Sequence, residues 1–356
     1  MGAGNAGQAA GDGHGRALSR GAIGYVAYVR AVSPDVVVIG AGVCGLSTAT
    51  ALLDARLAVT VYAAAPPHRT TSAAAGALWG PHLVGADERV GGWAEATLRR
   101  LRELRDEPAA GISEIGGLVA SPAREQAEPP GFTRGAGPAG RCDPAELPPG
   151  YASGWRYTAP VIAMPAYLDY LLELLLKQGG QLVLGRPSRS LAEAEERFSA
   201  PVIVNCAGIG ARDMVPDPDL VPVRGQVVVA ANPGLTEFFV GEGDRPEVVT
   251  YMFPHGATVV LGGTQQHGAA GTRPDPATAE QILARCAVVD PRLAAAPVLA
   301  HRVGLRPVRP QVRLETSAGT GGRHLVHNYG HGGAGVTLSW GCALDVARAV
   351  AGLLGR

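Results

Sequence analysis

The chain has 356 residues, a length that suits about two domains of ordinary size. Hydrophobic residues make up 46% of the chain and charged residues 17%, which allows a buried core and excludes disorder throughout. The formal net charge of +0 provides no basic field for nucleic acid or an anionic membrane, so neither is an expected partner.

The N-terminus and the cysteines indicate an intracellular protein. Residues 1–33 are rich in Gly and Ala and lack an apolar signal core, so we predict a flexible N-terminal extension there. No apolar run reaches about 18 residues, so no membrane-spanning helix is expected. The 5 cysteines are far apart and odd in number, which indicates reduced thiols and a cytoplasmic location.

The first predicted elements form a βαβ unit. Residues 35–40, DVVVIG, are a β-branched run typical of a buried parallel strand. Residues 41–55 follow at helical spacing, and LAVTVYA is a second strand that ends near Ala63. A strand, a glycine-rich turn, a helix and a strand in about 30 residues are typical of this unit.

A G-x-G-x-x-G motif, made of Gly40, Gly42 and Gly45, joins that strand to that helix. In this context the motif predicts a tight turn that places a dinucleotide pyrophosphate on the helix N-terminus, with a purely structural turn as the alternative. The end of the second strand, residues 63–65, lacks the acidic residue that usually holds the ribose hydroxyls. Arg69 or backbone groups would have to hold the ribose instead.

Residues 66–90 are predicted to be a loop that contains TTSAAAGALWGP, residues 70–81. Small residues of this kind can pass close to a pyrophosphate and a planar ring, although a flexible surface loop is the alternative. An amphipathic helix is predicted over residues 93–105, and only brief strands over the Pro- and Gly-rich residues 107–150.

The following segments alternate between the first sheet and an antiparallel block. A helix is predicted to begin with Pro165 in its first turn and to end at Gly179, and a second to begin with Asp275 as its cap. QLVLG and PVIVNCAG extend the first sheet, RGQVVVAA, VVTYMFP and ATVVLGG are antiparallel strands, and ALDVARAVAGLL is a closing helix.

A strand stiffened by prolines is predicted over residues 302–315, RVGLRPVRPQVRLE. It contains four arginines: Arg302, Arg306, Arg309 and Arg313. A buried arginine in a rigid segment suits a bidentate carboxylate clamp, and Arg306 is the candidate. Surface salt bridges suit Arg309 and Arg313 better. Tyr251 precedes a turn, and its residue type alone indicates only a side chain packed in the core.

The stretch HNYGHGGAGVTLSWG, residues 327–341, contains two histidines at metal-binding spacing, His327 and His331. That spacing binds a metal on one helix face, but the surrounding glycines argue against a helix and no carboxylate or cysteine is near. We therefore predict no metal site. We predict a strand-to-helix turn, with a bare backbone, in which the histidines orient the loop.

Together these segments resemble the D-amino-acid oxidase family of FAD-dependent flavoproteins, which includes D-aspartate oxidase. VVVIGAGVCGLSTATAL, TTSAAAGALWGP, PVIVNCAGIGAR, YMFP, VVLGGT, VGLRPVRPQVRLE and HNYGHGGAGVTLSWGCALDVA occur in the family's order over about residues 35–350. The resemblance implies an α/β fold: a Rossmann-like FAD-binding domain (34–85, 155–222 and 300–356) with an inserted, mainly antiparallel α+β substrate-binding domain (86–154 and 223–299).

The resemblance also implies an activity and its residues. Family members oxidise D-amino acids to imino acids by hydride transfer to FAD, and dioxygen reoxidises the flavin to give hydrogen peroxide. Arg306 matches the arginine that grips the substrate carboxylate, Tyr251 the tyrosine that supports it, and Gly333 a backbone carbonyl for the amine. The implied cofactor-binding residues are Gly40, Gly42, Val43, Cys44, Gly45, Thr70, Thr71, Ser72, Gly76, Ala77, Leu78, Trp79, Cys206, Ala207, Gly208, Arg306, Gly332, Gly333, Gly335, Val336 and Thr337.

The chain departs from the family pattern in ways that affect specificity. Glu247 stands where some relatives have a lid tyrosine, so we expect a weak lid, and Gly80 stands where Gln is frequent. D-aspartate oxidases have an arginine at the position of Gln265, where it holds the side-chain carboxylate of the substrate. The glutamine here favours neutral D-amino acids, unless Arg245 or His267 takes over the role of that arginine. We expect a small-molecule D-amino acid and dioxygen as partners, and a homodimer.

Three alternatives stay open at this point. A nicotinamide-dependent dehydrogenase shares the glycine motif but does not explain the C-terminal glycine segment. A D-aspartate oxidase for acidic substrates is nearer. A non-catalytic flavin-fold protein would account for the missing ribose carboxylate and for Gly80.

Overall fold

The computed structural model describes residues 33–123, 133–242 and 247–356. The prediction for residues 1–33 therefore lies, except for Ser33, outside the described residues. The strands are β1 Val36–Ile39, β2 Val59–Ala63, β3 Ile112–Ser121, β4 Gly140–Arg141, β5 Ser153–Ile162, β6 Gln181–Leu184, β7 Val202–Asn205, β8 Val221–Ala231, β9 Phe238–Glu242, β10 Val248–His255, β11 Thr258–Thr264, β12 Gln266–His267, β13 Val298–Ala318 and β14 His324–His331.

The helices are α1 Val43–Asp54, α2 Arg89–Glu103, α3 Thr133–Ala136, α4 Met164–Lys177, α5 Leu191–Arg197, α6 Ala211–Met214, α7 Pro276–Val289 and α8 Gly335–Leu353. Predicted helix boundaries are confirmed where the sequence has a proline, a glycine or a capping residue at the end of the helix. Pro165 lies in the first turn of α4, and Gly179 follows that helix with φ of 88°. The Asp275 carboxylate accepts from the Thr278 amide at 2.9 Å and so caps α7.

The described strands join in a single sheet in the order β4-β5-β3-β9-β10-β11-β8-β13-β14-β7-β1-β2-β6, with β12 paired to β8. The strands β14, β7, β1, β2 and β6 are parallel to one another, and we call them the parallel half. The strands from β4 to β13, which we call the antiparallel half, are antiparallel except for the β3–β9 pair. This mixed α/β architecture confirms the predicted fold class; the division into two domains stays a prediction.

The long strand β13 joins the two halves. It pairs with β8 from Val298 to Val308 and with β14 from Val308 onward. One continuous strand therefore belongs to both halves, so the position of Arg306 is fixed relative to both. Because a strand is stiff along its length, side chains on β13 are held at the boundary of the halves.

The core lies where helices cover the parallel half. All four residues of β1 are buried, as expected for a parallel strand covered on both faces. α8 packs against α1 and α2, and most of its surface is buried. α8 is also the only described helix long and apolar enough to cross a membrane, but its burial is that of a core helix.

Two predictions about elements were wrong. Residues 112–121 form a ten-residue strand, β3, where only brief strands were predicted. The polar residues near its beginning and the Gly116–Gly117 pair in its middle interrupt the apolar pattern that indicates a strand. The closing helix α8 begins at Gly335, eight residues before Ala343. Position 341 of this helix is a glycine because α8 lies against the backbone of Trp93, where a methyl group would come within 2.3 Å. Only tertiary packing can favour glycine there.

Candidate functional site

A cavity of about 760 Å³ lies between the two halves, a volume typical of ligand sites. It extends from the end of β2, past the α1 N-terminus and residues 69–80, to β9, β10 and β13. Every predicted site residue lines it except Gly45 and Trp79. The structure thus brings together glycine-rich segments that are up to about 300 residues apart in the chain.

The glycine motif forms the turn that its spacing predicted. Gly40 has φ of 112°, and a methyl group on it would lie 2.4 Å from the Cys206 carbonyl oxygen. A methyl group on Gly45 would lie 1.9 Å from the Gly40 carbonyl oxygen, so Gly45 packs the helix against the turn behind the cavity wall. The Ser72 hydroxyl accepts from the Val43 amide at 3.0 Å, which ties the 69–80 segment to the α1 N-terminus.

This arrangement fits the pyrophosphate of a dinucleotide such as FAD. The N-cap residue of α1, Gly42, contributes no side-chain cap, and Gly42, Val43 and Cys44 all line the cavity. Helix N-termini bind anions through free amides and the helix dipole. Residues 63–65 at the end of β2, and Arg69, line the cavity, and none of these described residues carries a carboxylate. The assignment of the ribose to Arg69 or backbone stays a prediction.

Trp79 does not lie against the cavity, contrary to the prediction. Its side chain is 2% exposed and packs in the core, where its indole nitrogen donates to the Ala94 carbonyl oxygen at 3.2 Å. Its neighbour Leu78 does line the cavity and pairs with Val161 across an isolated bridge. Adjacent residues of an extended segment point to opposite sides, and the sequence could not show which of the two faces inward.

Arg306 and Tyr251 lie near each other where the antiparallel half lines the cavity, which we call the antiparallel end. Arg306 on β13 donates from Nη1 to the Thr264 carbonyl oxygen at 3.0 Å, and its guanidinium occupies the space where a Gly225 side chain would be. The Tyr251 hydroxyl lies close enough to Arg306 for the guanidinium charge to act on its pKa. Burial raises the pKa of Tyr251 although Arg306 opposes the shift, so the phenol stays protonated and can donate.

Glycines and an aromatic stack hold that tyrosine. A methyl group on Gly262 would lie 1.9 Å from the Tyr251 ring, so only glycine leaves room for it. Phe253 stacks on the other side with ring centroids 4.6 Å apart at 12°. These contacts fix the ring, and its hydroxyl lies near the arginine. The prediction that these side chains act on substrate stays a prediction, but the structure places them together.

His82 is a site residue that the sequence did not reveal. It lines the cavity, and burial, followed by the charge of Arg306, lowers its pKa to about 4, so it is neutral at pH 7. The buried Gln265 amide donates to its Nε2 at 3.3 Å. A single histidine in an irregular loop has no periodic or spacing signal, so only the fold could identify it.

The residues considered for an acidic substrate do not converge on the cavity. Gln265 lies behind His82 and is not part of the wall. His267, on β12, is exposed and is also absent from the wall. Arg245 lies outside the described residues, as do its neighbours 243, 244 and 246 in the segment expected to form a weak lid, residues 241–249. Glu247 is described and exposed.

The turn between β14 and α8 explains the glycines of the C-terminal segment. A methyl group on Gly332, where φ is 56°, would lie 1.8 Å from the Leu83 carbonyl oxygen. One on Gly333 would lie 2.7 Å from the His82 ring. The turn therefore packs directly on the residues around His82. Gly80 is bound to the same region, since its amide donates to the Thr337 hydroxyl at 3.2 Å. The role of the Gly333 carbonyl stays a prediction.

The two histidines of that segment lie on strand β14. His331 is buried: its Nε2 donates to the Asn328 side-chain oxygen at 3.0 Å, and Cys44 Sγ lies 3.6 Å from its Nδ1. Burial lowers its pKa to about 4. His327 lies 3.4 Å from the Ser317 hydroxyl. Within the described part of the chain, no cluster of three metal-ligating side chains exists.

Arg309 and Arg313 each form a salt bridge with an exposed carboxylate, as predicted: Arg313 with Glu315 at 2.7 Å and Arg309 with Asp219 at 3.8 Å. The sequence did not reveal their shared buried partner. Both bind the buried carboxylate of Asp217, from Nε of Arg309 at 3.0 Å and Nη1 of Arg313 at 3.5 Å. The Tyr329 hydroxyl donates to the same carboxylate at 2.7 Å. Burial by itself would raise the pKa of Asp217, but these three groups outweigh it and hold the pKa below its usual value. This cluster ties β13 to Asp217 at Arg309 and Arg313, which follow Arg306 on the same strand.

Comparisons with known proteins agree with this geometry. Residues 35–349 match the family model described as DAO, FAD dependent oxidoreductase. The chain is 48% identical over 311 residues to a D-amino-acid oxidase of Rubrobacter xylanophilus, covering 87% of this chain and 94% of that one. It is 34% identical over 330 residues to a D-aspartate oxidase of Homo sapiens, covering 88% and 94%.

The fold has relatives among solved structures as well. The glycine oxidase of Geobacillus kaustophilus superimposes with a TM-score of 0.73 over 89% of this chain and 94% of that one. At 20% sequence identity this likeness concerns the fold.

Proposed function

Because the chain belongs to the DAO family of FAD-dependent oxidoreductases, we propose that it is a D-amino-acid oxidase. It oxidises a D-amino acid to the imino acid, which hydrolyses to a 2-oxo acid and ammonia, and dioxygen is reduced to hydrogen peroxide. The family assignment excludes the nicotinamide-dependent and non-catalytic alternatives. The observation that carries the proposal is the Arg306–Tyr251 pair, which faces a cavity lined by the dinucleotide turn.

The residues of the cavity perform binding and orientation. Arg306 binds the substrate α-carboxylate through its planar guanidinium, and the protonated Tyr251 hydroxyl donates to the same group. FAD, when bound, would supply the acceptor for the substrate hydride and the route by which its electrons reach dioxygen. A clamp of fixed geometry holds the Cα–H bond in one direction, and orientation of this kind removes much of a reaction barrier.

The neutral state of His82 suits this chemistry. A second positive charge beside Arg306 would disfavour approach of the protonated substrate amine and would cost solvation free energy in a buried site. Because the pKa of His82 is about 4, the imidazole presents a neutral, polar surface at pH 7. It also packs against Gly333, so the loop and the C-terminal turn hold each other in place.

Neutral D-amino acids are favoured over acidic ones. Of the described residues that line the antiparallel end, only Arg306 is cationic at pH 7, and it is used by the α-carboxylate. Gln265 lies behind His82 and offers no charge. The higher identity to a D-amino-acid oxidase than to a D-aspartate oxidase supports the same choice. D-aspartate oxidase is the alternative function.

A cytoplasmic location, a homodimer and a weak lid are further parts of the proposal. The described cysteines are all free, which suits a reducing compartment. The homodimer and the weak lid are expectations from the sequence, the latter from Glu247 at a position where a tyrosine could close the site.

The deciding experiment is a spectrum and a substrate screen. The purified protein should show flavin absorbance and should release peroxide with D-alanine or D-valine, more weakly with D-aspartate, and not with L-isomers. Turnover of L-isomers alone would overturn the proposal. Efficient turnover restricted to D-aspartate would replace it with the acidic alternative.

A further inference from the structure

A second cavity, of about 330 Å³, lies beside the cavity described above, which we now call the first cavity. Its wall comes from three segments: residues between 68 and 74, the first turn of α4, and the beginning of β13. Arg69, Thr70 and Ala74 line both cavities, so this segment is a wall that the two share. The reaction proposed above does not use the second cavity.

The second cavity is basic. Of its described lining residues, His68, Arg69 and Arg302 are basic and none is acidic. No ion pair joins these three side chains to a described carboxylate. Asp169, which lies one helical turn after Pro165 on α4, is exposed and is not part of the wall. The positive charge of the second cavity is therefore not balanced by its own wall.

Arg302 differs from the other arginines of β13. Arg309 and Arg313 share a buried carboxylate, and Arg306 is assigned to the carboxylate of the substrate. Arg302 is half-buried, and its guanidinium makes one hydrogen bond within the described chain, from Nη1 to the Ala73 carbonyl oxygen at 3.4 Å. Burial lowers the pKa of Arg302, and no carboxylate opposes this shift. A bound anion would offset the cost of partly burying this charge.

The second cavity is separate from the place assigned to the substrate carboxylate. Arg302, Gly304 and Arg306 alternate along β13, so their side-chain directions point to the same face of the sheet. A methyl group on Gly304 would lie 3.1 Å from Thr71 Cγ2 and 3.3 Å from Ala74 Cβ. The turn Thr71–Ala74 therefore packs on β13 between the two arginines, and each arginine faces a different cavity.

From these contacts we infer that the second cavity binds a phosphate group, either free phosphate or the phosphate of a monoester. The Arg302 guanidinium is a planar fork whose parallel donors match two phosphate oxygens. The His68 imidazole has an N–H to donate in either of its protonation states. These two side chains carry the assignment, because Arg69 also lines the first cavity.

A phosphate suits this wall better than a carboxylate does. Its four oxygens can accept from basic side chains that approach from different segments, whereas a carboxylate has two oxygens along one edge. The volume of the second cavity also leaves room for an ester group beside the phosphate. The inference does not depend on which D-amino acid the enzyme oxidises.

The test is phosphate binding to the FAD-loaded enzyme, so that the first cavity is filled by the dinucleotide. Isothermal titration calorimetry with inorganic phosphate, at constant ionic strength, compares the parent with Arg302→Gln. The glutamine amide can still donate to the Ala73 carbonyl oxygen, which preserves that contact of the folded protein. Because hydrogen bonds to charged groups are strong, we expect the Kd for phosphate to rise about tenfold or more in the variant.

Two further variants and a second ligand sharpen the result. His68→Gln changes an exposed side chain and should raise the Kd about two- to fivefold, the range of an exposed ion pair. Arg212→Gln removes the same charge from an exposed arginine outside both cavities and should leave the Kd unchanged. Glycerol phosphate distinguishes the two sources: tighter binding than inorganic phosphate identifies a monoester as the ligand, and weaker binding identifies free phosphate.

Three results would overturn the inference. The first is no heat of binding with the parent at millimolar phosphate. The second is an unchanged Kd in Arg302→Gln, or, if that variant does not fold, an unchanged Kd in His68→Gln. The third is an equal loss in Arg212→Gln, which would show an effect of net charge. The peroxide assay measures the oxidase function separately, so its failure is distinguishable from all three.

Discussion

The parallel half and the antiparallel half line the same cavity with different chemistry. The parallel half contributes backbone and small residues: Gly40, Gly42 and the turn at Gly332 line the cavity with bare backbone. The antiparallel half contributes functional side chains, Tyr251 and Arg306, held by glycines on neighbouring strands. The first surface is suited to an extended dinucleotide and the second to a small charged substrate.

The difference has a physical cause. A pyrophosphate is bound by amides and a helix dipole, which any sequence can supply if the backbone is bare. A carboxylate of an amino acid needs a cation and a donor at one point, and these come from side chains on separate strands. Substitutions should therefore act on cofactor content in one half and on substrate kinetics in the other.

The largest effect is expected for Gly45→Ala in the parallel half. Its methyl group would lie 1.9 Å from the Gly40 carbonyl oxygen, so the turn must open. Overpacking of this kind costs about 3 kcal/mol of the free energy of unfolding, and the variant should be purified without bound FAD. Urea unfolding and flavin absorbance per protein measure both. Gly91→Ala, where nothing lies within 4 Å, is the matched control; normal flavin content in Gly45→Ala would contradict the packing argument.

Arg306→Ala tests the antiparallel half. Truncation of one partner of a buried charge pair costs about 2–5 kcal/mol, so kcat/KM for D-alanine should fall about 100-fold or more. A peroxide assay measures the loss, and flavin absorbance shows whether cofactor content is affected separately. Arg99→Ala removes an arginine that is 63% exposed and should have no effect. Unchanged apparent affinity in Arg306→Ala would place the carboxylate clamp elsewhere.

Asp217→Asn tests the buried cluster that ties Asp217 to β13, the strand that joins the halves. The variant keeps the shape but weakens the bonds to Arg309, Arg313 and Tyr329, and hydrogen bonds to charged groups are worth about 2 kcal/mol. Asp219→Asn is the control, because Asp219 is 61% exposed and lies 3.8 Å from the same Arg309. Chemical unfolding at pH 7 compares the two.

The pH dependence of the free energy of unfolding, compared between the parent and Asp217→Asn, gives a second measurement. The folded pKa of Asp217 is lowered, so its contribution to stability is complete above the unfolded pKa of about 3.9 and is lost as pH falls through the folded value. The stability difference between the parent and Asp217→Asn should therefore shrink below about pH 4. A difference that does not change with pH would show that the carboxylate charge is not responsible.

The smallest effect is expected for Tyr251→Phe. The ring keeps its place over Gly262 and its stack on Phe253, and only the hydroxyl is lost. One donor to a carboxylate is worth about 1.5 kcal/mol, so kcat/KM should fall about tenfold. Steady-state kinetics with D-alanine measure it, and Tyr170→Phe on α4 is the control. A loss as large as that of Arg306→Ala would mean that the hydroxyl does more than support the carboxylate.

The sequence by itself determined most of the parallel half. The run of valines in β1, the glycine spacing before α1 and the caps of α4 and α7 act through neighbouring residues, so their effect is visible in a short window. The family resemblance then identified FAD and named Arg306 and Tyr251. It did not reveal β3, in which Gly117 is required because Phe238 packs on it from another strand.

Only the tertiary structure decided what surrounds the substrate. Trp79 points into the core and Leu78 into the cavity; His82 comes beside Arg306; and Arg309 and Arg313 converge on Asp217, about 90 residues earlier in the chain. These placements depend on strand register across the sheet and on which face of a loop is covered. Burial and charge then act on residues that are distant in sequence, and no local pattern records such contacts.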